Sequence, residues 1–513
     1  MNGAVSVVKT LLSSGVDTCF ANPGTSEMHF VAALDQTRGM HCVLGLQENI
    51  ATGMADGYWR IARRPASTLL HCGPGLANGL ANLHNARRAR SGIVNIVGDH
   101  ATYHRLHDPA LSMDTEALAR TVSSWVRTST SVERVGHDTA SCVQAARAAG
   151  GQVATLVLPS NVSWDEGGVS VDGFSDLARA PIDAFAVDNV ARVLRERENV
   201  LMLLAGDAAS EVGLALAWSV AEATGARLMV DYLNPTIARG RGRVPIERVP
   251  YSTDLAIEAF ARFEQIVLVN SKGPVGFFAY PGKPSMQYAP ASQLHVLSRP
   301  DQDAIQALRA LTSALGARRA AAPSTGERPT IAAGAPTPER LAQTVAALLP
   351  ENAIVADESI SYGRGFYRLT HAAAPNDWMH LTGGAIGYGL PVATGAAIAA
   401  RRQRRVLSLQ ADGSGMYTLQ ALWTQAREKL PCTTIVLANR KYNILVGEYK
   451  AVGALPGPTA MQMLDLGNPA LDWVKLAAGM GVEAARAENM EQCADLMSGS
   501  FKRDAPFLIE LLI

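Results

Sequence analysis

The chain carries no net charge, few cysteines and no long apolar run, and each of these lacks closes off a class of function. Of 513 residues only 18% are charged and 6% aromatic, and 46 Lys and Arg offset 46 Asp and Glu to a formal net charge of zero. A protein that binds nucleic acid or an anionic membrane needs a basic excess, and there is none. Cys19, Cys42, Cys72, Cys142, Cys432 and Cys493 are scattered without CxxC or CxxH spacing. That argues against a zinc site or a disulfide framework and for a reducing compartment. No uninterrupted apolar run reaches the ~18 residues of a membrane span, and Met1–Leu12 has no basic stretch leading into an apolar core. The expectation is a cytoplasmic protein without a membrane anchor.

What is abundant is apolar. At 48% hydrophobic residues the chain can bury large cores, and at ~150 residues per domain its length predicts about three domains. Residues 1–165 alternate helices with apolar strands at Thr18–Ala21, Cys42–Leu44, Ser67–His71, Ile93–Val97 and Val153–Leu158, the rhythm of a parallel α/β sheet. A middle block, 182–316, repeats it at Asn199–Leu204, Arg227–Val230 and Gln265–Val269. Ala317–Pro338, rich in Ala, Arg, Pro, Gly and Thr, reads as a linker into the last block, 339–513. The basic run Arg401–Arg405 falls between a helix and a strand and reads as a solvated loop.

The richest chemistry lies in Val406–Leu445. An apolar strand runs into Ala411-Asp412-Gly413-Ser414-Gly415 and a helical pattern over Met416–Leu430, and a second strand, Thr433–Leu437, ends in Ala438-Asn439-Arg440-Lys441-Tyr442-Asn443. On neighbouring parallel strands Asp412 and Asn439 point to one sheet edge. They can give Mg²⁺ two hard oxygen ligands, with diphosphate oxygens filling more of its octahedron. Gly413 and Ser414, opening a helix, offer backbone N–H groups to the phosphates.

This arrangement resembles the GDG…NN motif of thiamine-diphosphate (ThDP) enzymes, with Ala411 and Ala438 as departures from it. The resemblance implies a metal held by Asp412, Asn439 and the carbonyl of Lys441. Leu46-Gln47-Glu48-Asn49-Ile50 through Tyr58 resembles the family segment whose acid bonds the cofactor's pyrimidine nitrogen, which makes Glu48 the activating carboxyl. Leu381–Pro391 is glycine-dense and resembles the loop that holds the aminopyrimidine. There the carbonyl of Gly384 would bind it, and Ile386 would force the cofactor into its bent form. Asp357-Glu358-Ser359-Ile360-Ser361 resembles a turn on the far side of the diphosphate, with Ser361 as the contact.

The family plan is three doubly wound α/β domains: pyrimidine-binding, central and diphosphate-binding. It also implies assembly into a dimer or tetramer, with active sites at the interface between subunits. Within the family, Asn22-Pro23-Gly24-Thr25-Ser26-Glu27 and Leu70-His71-Cys72-Gly73-Pro74-Gly75 are nearest to benzoylformate decarboxylases. In those enzymes a hydroxyl residue and a His touch the 2-oxo acid, and Thr25 and His71 match them. Two departures alter the substrate pocket. Gly273–Tyr280 has no His where that enzyme has its second one, and Glu448 puts an acid where it has an aromatic residue. The His-rich segment Asp99–Asp108 reads first as a solvated loop, with contact to the same pocket as the alternative.

The implied function is ThDP- and Mg²⁺-dependent, non-oxidative decarboxylation of a 2-oxo acid by way of an enamine. One alternative is a carboligase of the acetolactate-synthase type, although the RHEQ sequence and a flavin-contacting Arg pattern are missing, which disfavours FAD. A catalytically silent scaffold is the other. Retention of Glu48, Asp412 and Asn439 argues against it.

Overall fold

The computed structural model describes residues 1–513 and builds three sheets, two all-parallel and one parallel but for an edge strand, with helices packed on them. The first sheet runs His41–Leu44, Thr18–Asn22, Ala66–Leu70, Ile93–Asp99, Val153–Pro159, Trp125–Thr128, with every neighbouring pair parallel. The second runs Glu247–Arg248, Arg227–Val230, Val200–Leu204, Gln265–Val269, Gln293–Ser298, again all parallel. Strands covered on both faces must be apolar along their length rather than alternating. Val200–Leu204 and Cys432–Ala438 are accordingly buried at every residue.

The third sheet has seven strands: Glu483–Ala487, Phe507–Leu512, Cys432–Ala438, Val406–Ala411, Ala353–Glu358, Asn376–His380, Thr236–Arg239. The last is antiparallel to its neighbour, with Ile237 opposite Trp378, and it comes from the middle of the chain. Its Arg239 is 2% exposed and donates to the carbonyl of Tyr367. The guanidinium is sandwiched between the rings of Tyr367 and Trp378, 3.8 and 4.7 Å from their centroids. The middle block is thereby stitched to the last.

The first and last blocks share an apolar core that includes Ile50, Met54, Leu390 and Val392. Helix Glu48–Ala62 lies directly on helix Gly389–Ala399. Glycine sets the closeness of this contact. A side-chain carbon at Gly57 would fall 2.1 Å from the carbonyl oxygen of Val392, and one at Gly395 would fall 1.9 Å from that of Met54. Between the same blocks Arg60 forms a buried, two-pronged pair with Asp56, at 2.8 and 2.7 Å. Arg60 also donates to the carbonyls of His380 and Pro235 at 2.8 and 3.1 Å.

The helix expected over Met416–Leu430 is shorter than its pattern implies. A four-residue turn of helix, Asp412–Gly415, breaks before Ala421–Arg427. Thr418, which donates to the carbonyl of Gly387 at 3.0 Å, fixes the intervening turn to the glycine loop. All six cysteines are free thiols, and no helix is long and apolar enough to cross a membrane. Arg404 and Arg405 of the basic run pair with Asp377 and Asp504 at 2.6 and 3.1 Å.

Candidate active site

Two groups of residues, on different parts of the chain, carry the expected chemistry. The first gathers at the sheet edge where Val406–Ala411 and Cys432–Ala438 end side by side, with Ala411 in register with Leu437. Asp412 is 2% exposed. Its Oδ2 accepts from the N–H of Arg440 at 2.6 Å, and its Oδ1 from that of Gly413 at 2.8 Å. Burial raises its pKa above the ordinary carboxylate value, although these backbone donors oppose the rise. Asn439 Oδ1 accepts from the N–H of Lys441 at 3.0 Å, and the Lys441 carbonyl accepts from Asn443 at 2.9 Å.

Asp412, Asn439 and Lys441 thus converge on one turn. The set is a buried carboxylate with neutral peptide partners, beside two amide oxygens. Such an all-oxygen set fits a hard divalent cation. Gly413 differs from expectation in that its N–H is engaged by Asp412. Ser414 is also engaged: its hydroxyl accepts from Gln410 Nε2 at 2.6 Å and donates to the Ala411 carbonyl at 3.2 Å.

The glycine loop sits beside this edge. Gly384 has φ 78°, in the left-handed region open to glycine. A side-chain carbon on it would fall 2.6 Å from Cζ of Phe277, a ring from the middle block. Ile386 is half-buried in the same loop. The loop is held from beneath by Glu358, which sequence reasoning passed over. Its carboxylate accepts from the N–H groups of Gly387, Tyr388 and Gly389 at 2.8, 3.1 and 2.8 Å, and from Gln410 Nε2 at 2.9 Å. This caps helix Gly389–Ala399 with a buried negative charge. Nothing in the local pattern signals it, because the partners lie about thirty residues on. Ser361 is half-buried, two residues past Ser359 and next to Ile360, whose φ of 50° is rare for a β-branched residue.

The second group belongs to the first sheet. Glu48 opens helix Glu48–Ala62, is 8% exposed, and accepts from Asn78 Nδ2 at 3.1 Å. No hydrogen bond links Glu48 itself to Asp412, Asn439 or the glycine loop, whereas Asn82 and Asn85, on the helix that carries Asn78, donate to the loop carbonyls of Gly387 and Ala385 at 3.2 and 2.8 Å.

His71 follows the strand Ala66–Leu70 and precedes the helix Cys72–Ala89, and its Nδ1 lies 2.9 Å from Glu27 Oε2. Glu27 is 3% exposed, and also accepts from the N–H of Gly24 at 2.8 Å and from the hydroxyl of Ser26. Gly98 makes room for that carboxylate: a carbon added there would fall 1.7 Å from Oε1. Glu27 closes the stretch Asn22–Glu27, and its place three residues after Gly24, whose N–H it accepts, is the one signal of its role in the sequence. Thr25, Ser26, His71 and His100 line one cavity of about 270 Å³. Of the His-rich segment, His100 reaches this cavity, whereas His104 and His107 do not line it. Thr25 is exposed.

The segments that depart from the benzoylformate-decarboxylase pattern meet each other. Tyr280 donates its hydroxyl to Glu448 Oε2 at 2.9 Å, and Tyr251 donates to Oε1 at 3.3 Å.

Comparison with known proteins covers nearly all of this. Residues 1–118 match the model of the thiamine pyrophosphate enzyme N-terminal TPP binding domain, and residues 361–511 match that of the C-terminal TPP binding domain. The chain is 47% identical over 516 aligned residues to the Mycobacterium tuberculosis protein "Putative acetolactate synthase large subunit IlvX", covering 100% of this chain and 99% of the relative. It is 28% identical to benzoylformate decarboxylase of Pseudomonas aeruginosa, covering 97% and 96%. The fold superposes on the 4-hydroxybenzoylformate decarboxylase of Rhodococcus jostii RHA1 with a TM-score of 0.85 at 23% identity, over 99% and 98% of the two chains. The benzoylformate decarboxylase of Polynucleobacter necessarius also gives 0.85, at 20% identity over 100% and 99%.

Proposed function

The chain belongs to the thiamine pyrophosphate enzymes, and from that premise we propose that it decarboxylates a 2-oxo acid without oxidation, using ThDP and Mg²⁺. The observation that carries this reading is the His71–Glu27 pair, facing a cavity that Thr25 and Ser26 also line. When bound, ThDP supplies an electron sink for the charge left as CO₂ departs.

Asp412, Asn439 and the Lys441 carbonyl would hold Mg²⁺, and the Gly384 carbonyl and Ile386 would orient the pyrimidine. Glu48 would share a proton with the pyrimidine nitrogen. Its burial at a helix start, with Asn78 as partner, keeps water from competing for that proton. In the relay, Glu27 fixes the ring of His71 through Nδ1, which leaves Nε2 to deliver a proton to the carbon that lost CO₂.

The reading requires two chains. The family plan sets the first block of one subunit against the last block of another, and no hydrogen bond joins Glu48 to Asp412 within one chain. Exposed apolar residues flank both groups. Leu46, Leu106 and Met113 lie on one side, 42, 86 and 40% exposed, and Leu445 and Met463 on the other, 44 and 79% exposed. Such surface is suited to burial between subunits.

The full-length identity to an acetolactate-synthase-named relative favours a second reading, carboligation, in which a carbon electrophile takes the place of the proton. Incubating the protein with ThDP, Mg²⁺ and either pyruvate or benzoylformate decides between them. An aldehyde supports decarboxylation, acetolactate supports ligation, and neither product would remove both.

A further inference from the structure

Resting on the decarboxylase reading, we propose that Glu448 selects the substrate's side chain. It would favour 2-oxo acids that end in an N–H or O–H donor and turn away those that end in a second carboxylate.

Glu448 lies on helix Asn443–Ala451, which begins four residues after Asn439 and so grows directly out of the metal turn. Leu445 precedes it by three residues and shares its helix face. Opposite stands the middle block. Phe277 rests on Gly384, with its ring 5.0 Å from Phe278 and 5.6 Å from Tyr251. The space beside the glycine loop therefore has aromatic and aliphatic walls and one carboxylate, with the cations Arg364 and Lys283 stacked on the rings of Tyr251 and Tyr280 rather than paired with it. Phe278 and Leu445 are 58 and 44% exposed, leaving apolar surface for a ligand to cover.

The state of the carboxylate sets the chemistry. A carboxylate accepts about four hydrogen bonds, and Tyr280 and Tyr251 supply two, at 2.9 and 3.3 Å. Glu448 has no ion-pair partner: the nearby Arg364 stacks on the Tyr251 ring, 4.4 Å from its centroid. When a substrate displaces water from this space, the two remaining acceptor positions lose their partners unless the substrate brings donors. A terminal hydroxyl, amine or guanidinium brings them. A terminal carboxylate brings like charge and no donor instead. A site built to bond a donor rejects the analogue that lacks it more strongly than an apolar pocket rejects a missing methylene.

The test compares matched acids on the ThDP- and Mg²⁺-loaded protein: benzoylformate with 4-hydroxybenzoylformate, 2-oxohexanoate with 2-oxo-5-guanidinopentanoate, and 2-oxoglutarate as the dianion. We expect at least a tenfold gain in kcat/KM for the donor-bearing member of one pair or both, with the pair showing which donor is meant. The dianion should fall about a hundredfold below it. Glu448→Leu should erase the donor preference. Glu448→Gln, close to isosteric and the safer fold, should keep selection for the hydroxyl and lose exclusion of the dianion. A uniform change across all five acids in both variants, or a wild type that prefers the dianion, overturns the proposal. Calorimetric binding of the same acids separates this outcome from failure of the reaction. If no acid is turned over, a binding preference that vanishes in Glu448→Leu retains the pocket assignment and discards the decarboxylase reading. Binding without preference discards the pocket assignment.

Discussion

The imidazole of His71 is held by a carboxylate from the neighbouring strand's loop: Nδ1 lies 2.9 Å from Oε2 of Glu27, which is 3% exposed. This contact fixes which ring nitrogen remains for chemistry. Glu27→Gln should leave ThDP affinity unchanged and lower turnover roughly 10- to 100-fold, part of the ~10²–10⁴ that a positioned proton donor contributes. Gly98→Ala, which would crowd Glu27 Oε1, should have the same kinetic effect without touching either residue. Normal turnover in both variants would sink the positioning role.

His71→Ala should lower aldehyde formation more than ligation to an added aldehyde, because only the first needs the proton. Product ratio and melting temperature measured on one preparation check this. If His71 were a packing residue, stability and both products would decline together at a constant ratio.

Glu48→Gln should still bind ThDP, since the contact is to the pyrimidine and not the phosphates, yet lose about 10²–10⁴ in turnover. A variant within a few-fold of wild type would remove Glu48 from the activating role.

Asp412→Ala should abolish metal-dependent cofactor retention, because the turn loses its one charged ligand. Chelation should inactivate the wild type reversibly, with recovery on adding Mg²⁺ and ThDP together. Recovery with ThDP alone would contradict the metal assignment.

Acid sensitivity follows from His380 and His371. Burial and the neighbouring Arg248, Arg239 and Arg60 hold His380 well below its ordinary pKa of 6.5. Its Nδ1 sits 2.5 Å from Arg248 Nη1, a contact in which neutral imidazole accepts. Burial, with Arg239 and Arg368, pushes His371 down to about 3. Both residues bind protons more readily in the unfolded chain, so the stability they contribute is present above pH 6.5 and is lost as pH falls toward the folded-state values. Urea midpoints should therefore drop between pH 7.5 and 5, and His380→Gln with His371→Gln should flatten that slope. An unchanged slope would refute the account.

How much of this could be read from the sequence depended on distance along the chain. The turn around Asp412 and Asn439 was legible because two successive apolar strands fix which edge both residues occupy. The parallel α/β class was legible for the same reason, from apolar runs such as Gln265–Val269. Trp125–Thr128 was not. It is half-buried throughout and lacks the apolar run that marked the others. Glu27 beneath His71 and Glu358 beneath the glycine loop were hidden because each is defined by a partner in another element. Asp56 was visible as part of a motif, but its pairing with Arg60, sealed from water at 0 and 1% side-chain exposure, was not. Removing one partner of such a buried pair strands the other, so Asp56→Ala should destabilise the fold by roughly 3–5 kcal/mol.

The strand Thr236–Arg239 has a consequence for how the protein is made. It leaves the ribosome before any strand of the sheet it will border, so the last sheet must wait for its own rim to be recruited from a segment already synthesised. Vectorial folding, block by block, cannot finish the third block by itself. A clone of 339–513 alone would present Asn376–His380 as a bare edge open to pairing with other chains. Truncation libraries should accordingly yield aggregates from any cut between Arg239 and Asn376. Gene fusions or split reporters placed in the linker would divide one folding unit rather than separate two.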